Sequence, residues 1–590
     1  MTDERLYPEI SLDGSMFKRK GAWFGLFQQG CKYGDIRLWL GTCRGMAVQA
    51  PERNRLIELF PTYEGRKLPF TVTAKPDEMT LVTRHGNVRF TFADTALLMA
   101  EGDPGMGLMM EKVMVKHETV HPRKNGAWEA FFRFTTAFVF KGLAGSAFDF
   151  NNGENYWNWE TFSSDRVKGR THPASDGTFT LAMEEFVYDG VVRDEYPTYA
   201  QAKASMASDW EAFIRAMPSF RAPLEAARVG CEYTLWSYLV APTGRLRYPE
   251  IQMFAGIMAS QWQLCQNAVA LQENIDLAVD LLLSPLDRAC ETGQLADTFD
   301  DASCETMMVK PPIHGWAIQQ IMSHHNLLAE VSREKVEWLY RGVGAWGDWF
   351  MTCRDEDGDG LPSLFHADET GLDDSSMFTR HNVLSTPDVA AYLVLLFEAV
   401  GDLGKALGKP ETETAAWYEK SEATLRRLIS RLWDGEHFIA LVPGTGEKVF
   451  SGSLVHYVPA ILGRRLPQAI IDKMADDLSV PGHYLSPWGL AAEDMTSDRF
   501  CLDRMSIGRG RIVPPQSLYI CTGLWETHRR NVARTIAENY CKGLRDSGFT
   551  FLINPMDGSG SGYFGGSWPR CAYTILGRML NEETPQENRP

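Results

Sequence analysis

The stretch Asp355–Met377 reads DEDGDGLPSLFHADETGLDDSSM, and the rest of the chain is best read outward from it. Its first part, DEDGDG, is acidic and turn-forming, the composition of a solvated loop. Asp355, Asp357 and Asp359, with Gly360, match the front of a D-x-D-x-D-G calcium loop. The twelfth position, where an EF-hand needs a bidentate Glu, is His366, so an EF-hand is excluded. A looser structural Ca²⁺ site, completed by Ser363 or a backbone carbonyl, stays open; no cofactor is otherwise required. The second part is Glu369-Thr370-Gly371-Leu372-Asp373-Asp374-Ser375. Gly371 permits a tight turn. Asp373 and Asp374 are adjacent and point differently, so one can face a cavity while the other is satisfied locally. A carboxyl in a partly apolar pocket has its pKa raised, which suits a general acid.

Composition narrows the classes. The chain has 590 residues, enough for more than one domain, with 44% hydrophobic and 11% aromatic residues. Its formal net charge of -17 argues against nucleic acid as a partner, because phosphate binding needs concentrated Lys and Arg. The acidic start MTDERLYPEISLDG has no basic segment followed by an apolar one, so no secretory signal is read there. The most apolar helical run, AAYLVLLFEAV, is far too short for a membrane span. The 11 cysteines are scattered without metal-site or redox spacing, which fits reduced thiols and a cytoplasmic location.

Around that stretch the chain divides by texture. Residues 1–195 carry short β-rich runs such as DIRLWLGTC, VRFTFA and EAFFRFTTAFVF, broken by Gly, Pro, Asn and Asp. Their alternation predicts an antiparallel β-sandwich. Trp157 and Trp159 lie in a loop that either lines a groove or clasps the next domain. Residues 196–217 read as a linker helix. From 218 to 590 helical patterns alternate with loops that hold the unusual residues, among them LEAARVGCEYTLWSYLV and PDVAAYLVLLFEAVGDLGKALG. A ring of paired helices, an (α/α)6 toroid, is the arrangement they suggest. His324-His325 reads as a core or surface pair, and Trp338, Trp346 and Trp349 read as core packing.

E-T-G-L-D-D-S resembles the E-S-G-x-D-x-S segment of glycoside hydrolase family 63 and the related family 37 trehalases, the mannosylglycerate-hydrolase-like glycosidases included. The match extends along the helical half. KPPIHGWAI (310–318) resembles their P-P-x-x-x-W-A helix start, and the run from Asp388 through LWDGEHFIAL resembles a helix pair ending in L-W-D. YLSPWGLAAEDM, RGRIVPPQSLYICTGL and NPMDGSGSGYFGGSW resemble further loops in the same order. The resemblance implies a β-sandwich followed by a toroid, and the hydrolysis of a small α-glycoside. It implies Asp373 as the catalytic acid. Trp316 and Trp488, on matched segments, would be stacking platforms or else core packing; Glu369, Gln516, Tyr563 and Trp568 would be further substrate-binding positions.

The pattern also breaks. Inverting glycosidases need a second carboxyl, roughly 6.5–9.5 Å from the first, to activate a water. The resembling families place that Glu where this chain reads Gly548-Phe549-Thr550-Phe551-Leu552-Ile553-Asn554-Pro555. Glu538 lies on a helix that precedes this place. Glu493, Asp494 and Asp557 are the relocated candidates, each also readable as a solvated or capping carboxylate. The W-R-G-P-x-W step has become Gly508-Arg509-Gly510-Arg511-Ile512-Val513, and the W-D pair expected near Trp262 lacks its Asp. Arg509 and Arg511 suit an anionic group on the substrate, such as a glycerate, uronate or phosphate, or else an ordinary salt-bridged loop.

The expectation is therefore an inverting-type α-glycosidase acting on a small carbohydrate, without nucleic acid or membrane partners. Phosphorolysis, elimination or isomerisation on the same fold and a non-catalytic glycan-binding module are the alternatives. The sequence leaves the sugar, the linkage and the oligomeric state open.

Overall fold

The computed structural model describes residues 4–29, 36–45, 54–132, 136–151, 157–158, 160–161, 163–187, 190–503, 506–562 and 565–582. Two antiparallel sheets fill the first third. One has the spatial order 16–17, 24–29, 37–42, 55–63, 106–115, 163–172, 147–150. The other runs 119–122, 127–132, 136–143, 179–186, 97–102, 87–92, 78–82, 71–75. Their inner faces meet through phenylalanines: Phe24 lies 5.2 Å from Phe92 and 5.1 Å from Phe138, and Phe140 lies 5.5 Å from Phe150. The alternation in NVRFTF, with Val88 and Phe90 buried, is what turns one face of each strand inward.

Helix α1 (Tyr199–Ala216) follows, opened by a capping box between Thr198 and Gln201. It packs on strands 87–92 and 97–102. Then come α2 (Glu225–Tyr238), α3 (Gln261–Ala270), α4 (Ile275–Leu286), α5 (His314–Met322), α6 (Leu327–Glu330) and α7 (Arg333–Cys353). The chain continues with α8 (Pro387–Ala406), α9 (Glu411–Leu432), a 3₁₀ run over Leu454–Arg465, α10 (Gln468–Asp477), α11 (Pro514–Trp525), α12 (Arg530–Asp546) and α13 (Ser567–Glu582).

One set of these elements closes on itself. Helix α3 packs on α5, α5 on α8, α8 on the 454–465 run, that run on α11, α11 on α13, and α13 back on α3. The others sit behind them: α4 on α3, α9 on α8, α10 on the 454–465 run, α12 on α11 and α2 on α13. Sequence explains the two layers. PPQSLYICTGLW of α11 is apolar around most of its circumference and is buried along its whole length. RNVARTIAENYCKGLRD of α12 is amphipathic and buries one face. Trp346 and Trp349 stack with ring centroids 5.1 Å apart inside the core, as their spacing on α7 predicts.

The halves are fastened together by charge. Arg44 beyond strand 37–42 binds both oxygens of Glu185 at 3.1 Å and reaches Asp301 at 3.3 Å, while the Gly45 amide donates to Asp301 at 3.0 Å. Arg44 is 7% exposed. The cysteines among the described residues are free. Among those residues no helix is long and apolar enough to cross a membrane.

Candidate active site

The connection between α7 and α8 carries the acidic stretch. One residue past α7, the Arg354 guanidinium binds Glu369 through two hydrogen bonds of 2.8 and 2.9 Å. Glu369 also accepts the backbone N–H of Phe365 at 2.7 Å and of Val309 at 3.3 Å. All its acceptor capacity is spent in a site 1% exposed, so this carboxylate anchors two segments to each other. From α11, the Gln516 side chain donates to the Thr370 carbonyl at 3.2 Å and supports the same loop from behind. The turn then needs Gly371. Its φ is +78°, and a Cβ there would lie 2.2 Å from the Trp262 ring.

Past that turn the loop borders a cavity of about 610 Å³. Phe254, Trp262, Phe551 and Trp568 form its apolar walls. Trp262 and Trp568 meet edge to face, with centroids 4.7 Å apart. The polar lining includes Asp297, Glu305, Lys310, Asp368, Asp373, Asp503 and Arg509. Phe551 belongs to the segment where the resembling glycosidases carry their base; an aromatic ring faces the cavity there.

Asp373 and Asp374 divide as their adjacency allows. Asp374 accepts hydrogen bonds from Ser506 Oγ at 2.8 Å, from the amides of Ile507 and Gly508 at 3.1 and 2.5 Å, and from Arg509 Nε at 3.2 Å. Asp373 hydrogen-bonds Asp368. Burial pushes the Asp373 carboxyl up to about 8, and the adjacent charges of Asp368 and Asp297 add to it against the opposing pull of Lys310. Burial also acts on Asp368, yet Lys310 and the hydrogen bond from Asp373 hold it below the usual carboxylate range. Lys310 Nζ donates to the Asp368 carbonyl and to Asp368 Oδ2, each at 2.8 Å, and lies 3.9 Å from Asp297 Oδ2. Asp297 is raised to about 6 by burial, again opposed by Lys310. The two carboxyls of the pair are thus pushed in opposite directions, Asp373 toward keeping its proton and Asp368 toward losing it.

The remaining residues singled out in the sequence lie elsewhere. Glu493 is fully buried behind the loop, accepting from Ser376 Oγ and Ser497 Oγ at 2.7 Å each, and burial raises its pKa. Asp494 pairs with His483 at 2.9 Å. Asp557 is exposed and accepts the Ser559 amide at 2.8 Å. Trp316, inside α5, packs edge-on against Tyr519 and donates to Thr522 Oγ1 at 3.2 Å. Trp488 faces α12, where its Nε1 donates to Asp546 at 3.3 Å. Arg511 turns inward to the carbonyls of Leu502 and Asp503 at 2.7 and 3.2 Å. Glu538 pairs with Arg221 at 3.4 Å on an exposed face. Tyr563 and Trp159 fall outside the described residues, as does the side chain of Trp157. Asp355, Asp357 and Asp359 bring oxygens within 4.8 Å of one another; Arg431 lies 3.1 Å from Asp359, and Asp357 accepts the Gly444 amide at 2.7 Å. Lys310, Asp297, Asp368, Glu305 and Asp503 also line the cavity, and no local motif marks them in the sequence.

The helical half of the chain is similar to glycoside hydrolases. Residues 284–568 match the family model of the Mannosylglycerate hydrolase MGH1-like glycoside hydrolase domain, so the family resemblance carried by E-T-G-L-D-D-S is shown. A glucosylglycerate hydrolase of Mycolicibacterium hassiacum is 32% identical over 88 residues, which are 14% of this chain and 20% of that protein. The match therefore spans about a fifth of that curated relative's length. Among solved structures, the GH63 mannosylglycerate hydrolase from Thermus thermophilus in complex with Tris and D-glycerate superposes with a TM-score of 0.51 at 16% identity, covering 60% of this chain and 99% of that one. An uncharacterized conserved protein from Thermus thermophilus gives a TM-score of 0.51 at 17% identity with the same coverages. At such identities the likeness concerns the fold.

Proposed function

We propose that the protein is a glycosidase that cleaves a small α-glycoside bearing an anionic aglycone, of the glycerate type named for the hydrolases it resembles, with Asp373 as general acid. The observation that carries this reading is the Asp373 carboxyl on the cavity wall, kept protonated near neutral pH beside the ionised Asp368. The closed succession of inner helices with its outer partners reads as an (α/α)6 toroid behind a β-sandwich, the architecture expected for such an enzyme. Trp262 and Trp568 supply faces and edges against which a pyranose packs. Arg509 is bonded to Asp374 through Nε only, which leaves the rest of its guanidinium to take an aglycone carboxylate.

An inverting route needs a second carboxylate with access to water. Asp297 and Asp368 share Lys310 on the acid's own side, and Glu305 accepts from Thr298 Oγ1 at 2.7 Å. Asp503, exposed at the cavity beside Cys501, is the cavity carboxylate we assign to the base in this reading. Phe551 at the family's base position favours one other reading, in which phosphate replaces water as the attacking group. The test is turnover of glucosylglycerate, mannosylglycerate and their methyl α-glycoside counterparts, with and without phosphate. Phosphate-independent hydrolysis of a glycerate glycoside, lost in Asp373→Asn, supports the proposal. Indifference to Asp373→Asn, or a strict need for phosphate, refutes it.

A further inference from the structure

We propose that Lys310 is a positioning residue that places the single proton of the Asp368–Asp373 carboxyl pair on Asp373 and restores it there after each turnover. The proposal rests on the general-acid reading of Asp373. It comes from an asymmetry in the contacts. The ammonium touches one member of the pair twice, through the carbonyl and Oδ2 of Asp368, and leans on Asp297 at 3.9 Å. No hydrogen bond joins it to Asp373. A cation bonded to one carboxylate of a close pair stabilises the charge on that member and leaves the proton to the other.

The ammonium is held in place. Lys310 is 8% exposed, its preceding amide, that of Val309, is bound by Glu369, and Glu369 is clamped by Arg354. Pro311 and Pro312 follow, fixing the chain direction on the far side. Asp297 is steadied by Ser260 Oγ at 3.4 Å. On its own segment Asp373 faces Asp368 and the saturated Asp374. The 297–310 segment contributes Asp297, Glu305 and Lys310, and the 501–509 segment Asp503 and Arg509. Lys310 is the cation among these that is bonded to the acid's partner.

The proton balance follows. As the glycosidic C–O bond breaks, Asp373 gives its proton to the departing oxygen, and the pair becomes two carboxylates beside Lys310. The attacking water loses its proton to the base, which releases it to solvent. The proton that returns from solvent settles on Asp373, because Asp368 Oδ2 already accepts from Lys310.

The test is the pH dependence of kcat/KM, paired with an infrared titration of the carboxyl band in substrate-free protein, the Asp373 band being identified by its loss in Asp373→Asn. Lys310→Met removes an attractive charge, so the basic limb and the loss of the pair's last proton move to higher pH by about one unit or more. The protonated-carboxyl band, carried by Asp373 in wild type, then divides between Asp373 and Asp368, the latter identified by its loss in Asp368→Asn. Asp297→Asn removes a repulsive charge, so the limb and the loss of that proton both move to lower pH. Lys310→Arg returns them toward the wild-type position. Unmoved midpoints with a lowered rate, or shifts of the same sign in Lys310→Met and Asp297→Asn, overturn the proposal. If Lys310→Met does not fold, the Asp297→Asn and Lys310→Arg titrations decide it by the same signs. Since the infrared titration needs no turnover, absent hydrolysis with the expected shifts would sink the glycosidase reading and leave the proton assignment standing.

Discussion

Asp373 and Asp374 are consecutive, yet four donors from residues 506–509 saturate Asp374 while Asp373 hydrogen-bonds Asp368 on the cavity wall. One carboxylate holds the loop together, and the other is the acid of the proposed reaction. Substitution should separate these roles. Asp373→Asn keeps the shape of the neutral carboxyl, so near pH 4 the melting temperature should change little, while kcat at the pH optimum falls by about 10²-fold or more. Asp374→Ala strands the Ile507 and Gly508 amides and Arg509, and should cost about 1–3 kcal/mol of stability together with activity. Calorimetry and steady-state kinetics on the two variants check the contrast; equal melting temperatures would contradict it.

The raised Asp373 pKa fixes a sign for stability as well as for rate. The folded carboxyl titrates at about 8 and the unfolded one near 3.8. Between those values the native state binds more protons than the unfolded chain, so the group's contribution to stability falls as pH rises. Asp373→Asn removes that decline. Chemical denaturation should find the variant more stable than wild type at pH 8–9, with the difference vanishing toward pH 4. The wild-type kcat/KM should fall above about pH 8 as the acid ionises.

Glu369 is predicted to be an anchor and not a ligand. Arg354→Met leaves an ionised carboxylate buried at 1% exposure with two amide donors only, and breaking such a pair costs about 3–5 kcal/mol. Urea unfolding measures this. A loss below about 1 kcal/mol would show that Glu369 finds compensation elsewhere.

Gly371→Ala meets two penalties together: a left-handed backbone, costing about 1–2 kcal/mol, and a collision with the Trp262 ring. Because Trp262 lines the cavity, the damage should appear in KM as well as in melting temperature. A variant with lowered stability and unaltered KM would mean that the ring does not touch substrate.

Of the acidic candidates, Asp503→Asn should lower kcat by about 10²-fold or more, whereas Asp557→Asn should stay within about twofold. Rates at the pH optimum discriminate them, and the reverse ranking would return the base role to the C-terminal loop.

Much of this was legible in the chain. Period-two alternation in runs such as VRFTFA marks the sheets, and the contrast between PPQSLYICTGLW and RNVARTIAENYCKGL marks inner and outer helices. G-L-D-D-S announces a turn followed by two carboxylates with different fates. Local sequence does not say which face of a matched segment looks inward. Trp488 sits on a matched loop and turns to α12, and Arg511 stands two residues from Arg509 yet spends its donors on carbonyls. Nor could spacing connect Lys310 to Asp368, 58 positions away, because the contact exists only once the loops of the helical half converge.

Arg44 reaches from the strand-rich half to Asp301, two residues beyond the short strand that runs beside the sugar-sized hollow. Excising that half would strip the hollow's border of its tether and leave an acidic residue turned toward water. The front of this chain therefore braces the border of the hollow, and anyone trimming the molecule to a smaller unit would have to rebuild that brace first.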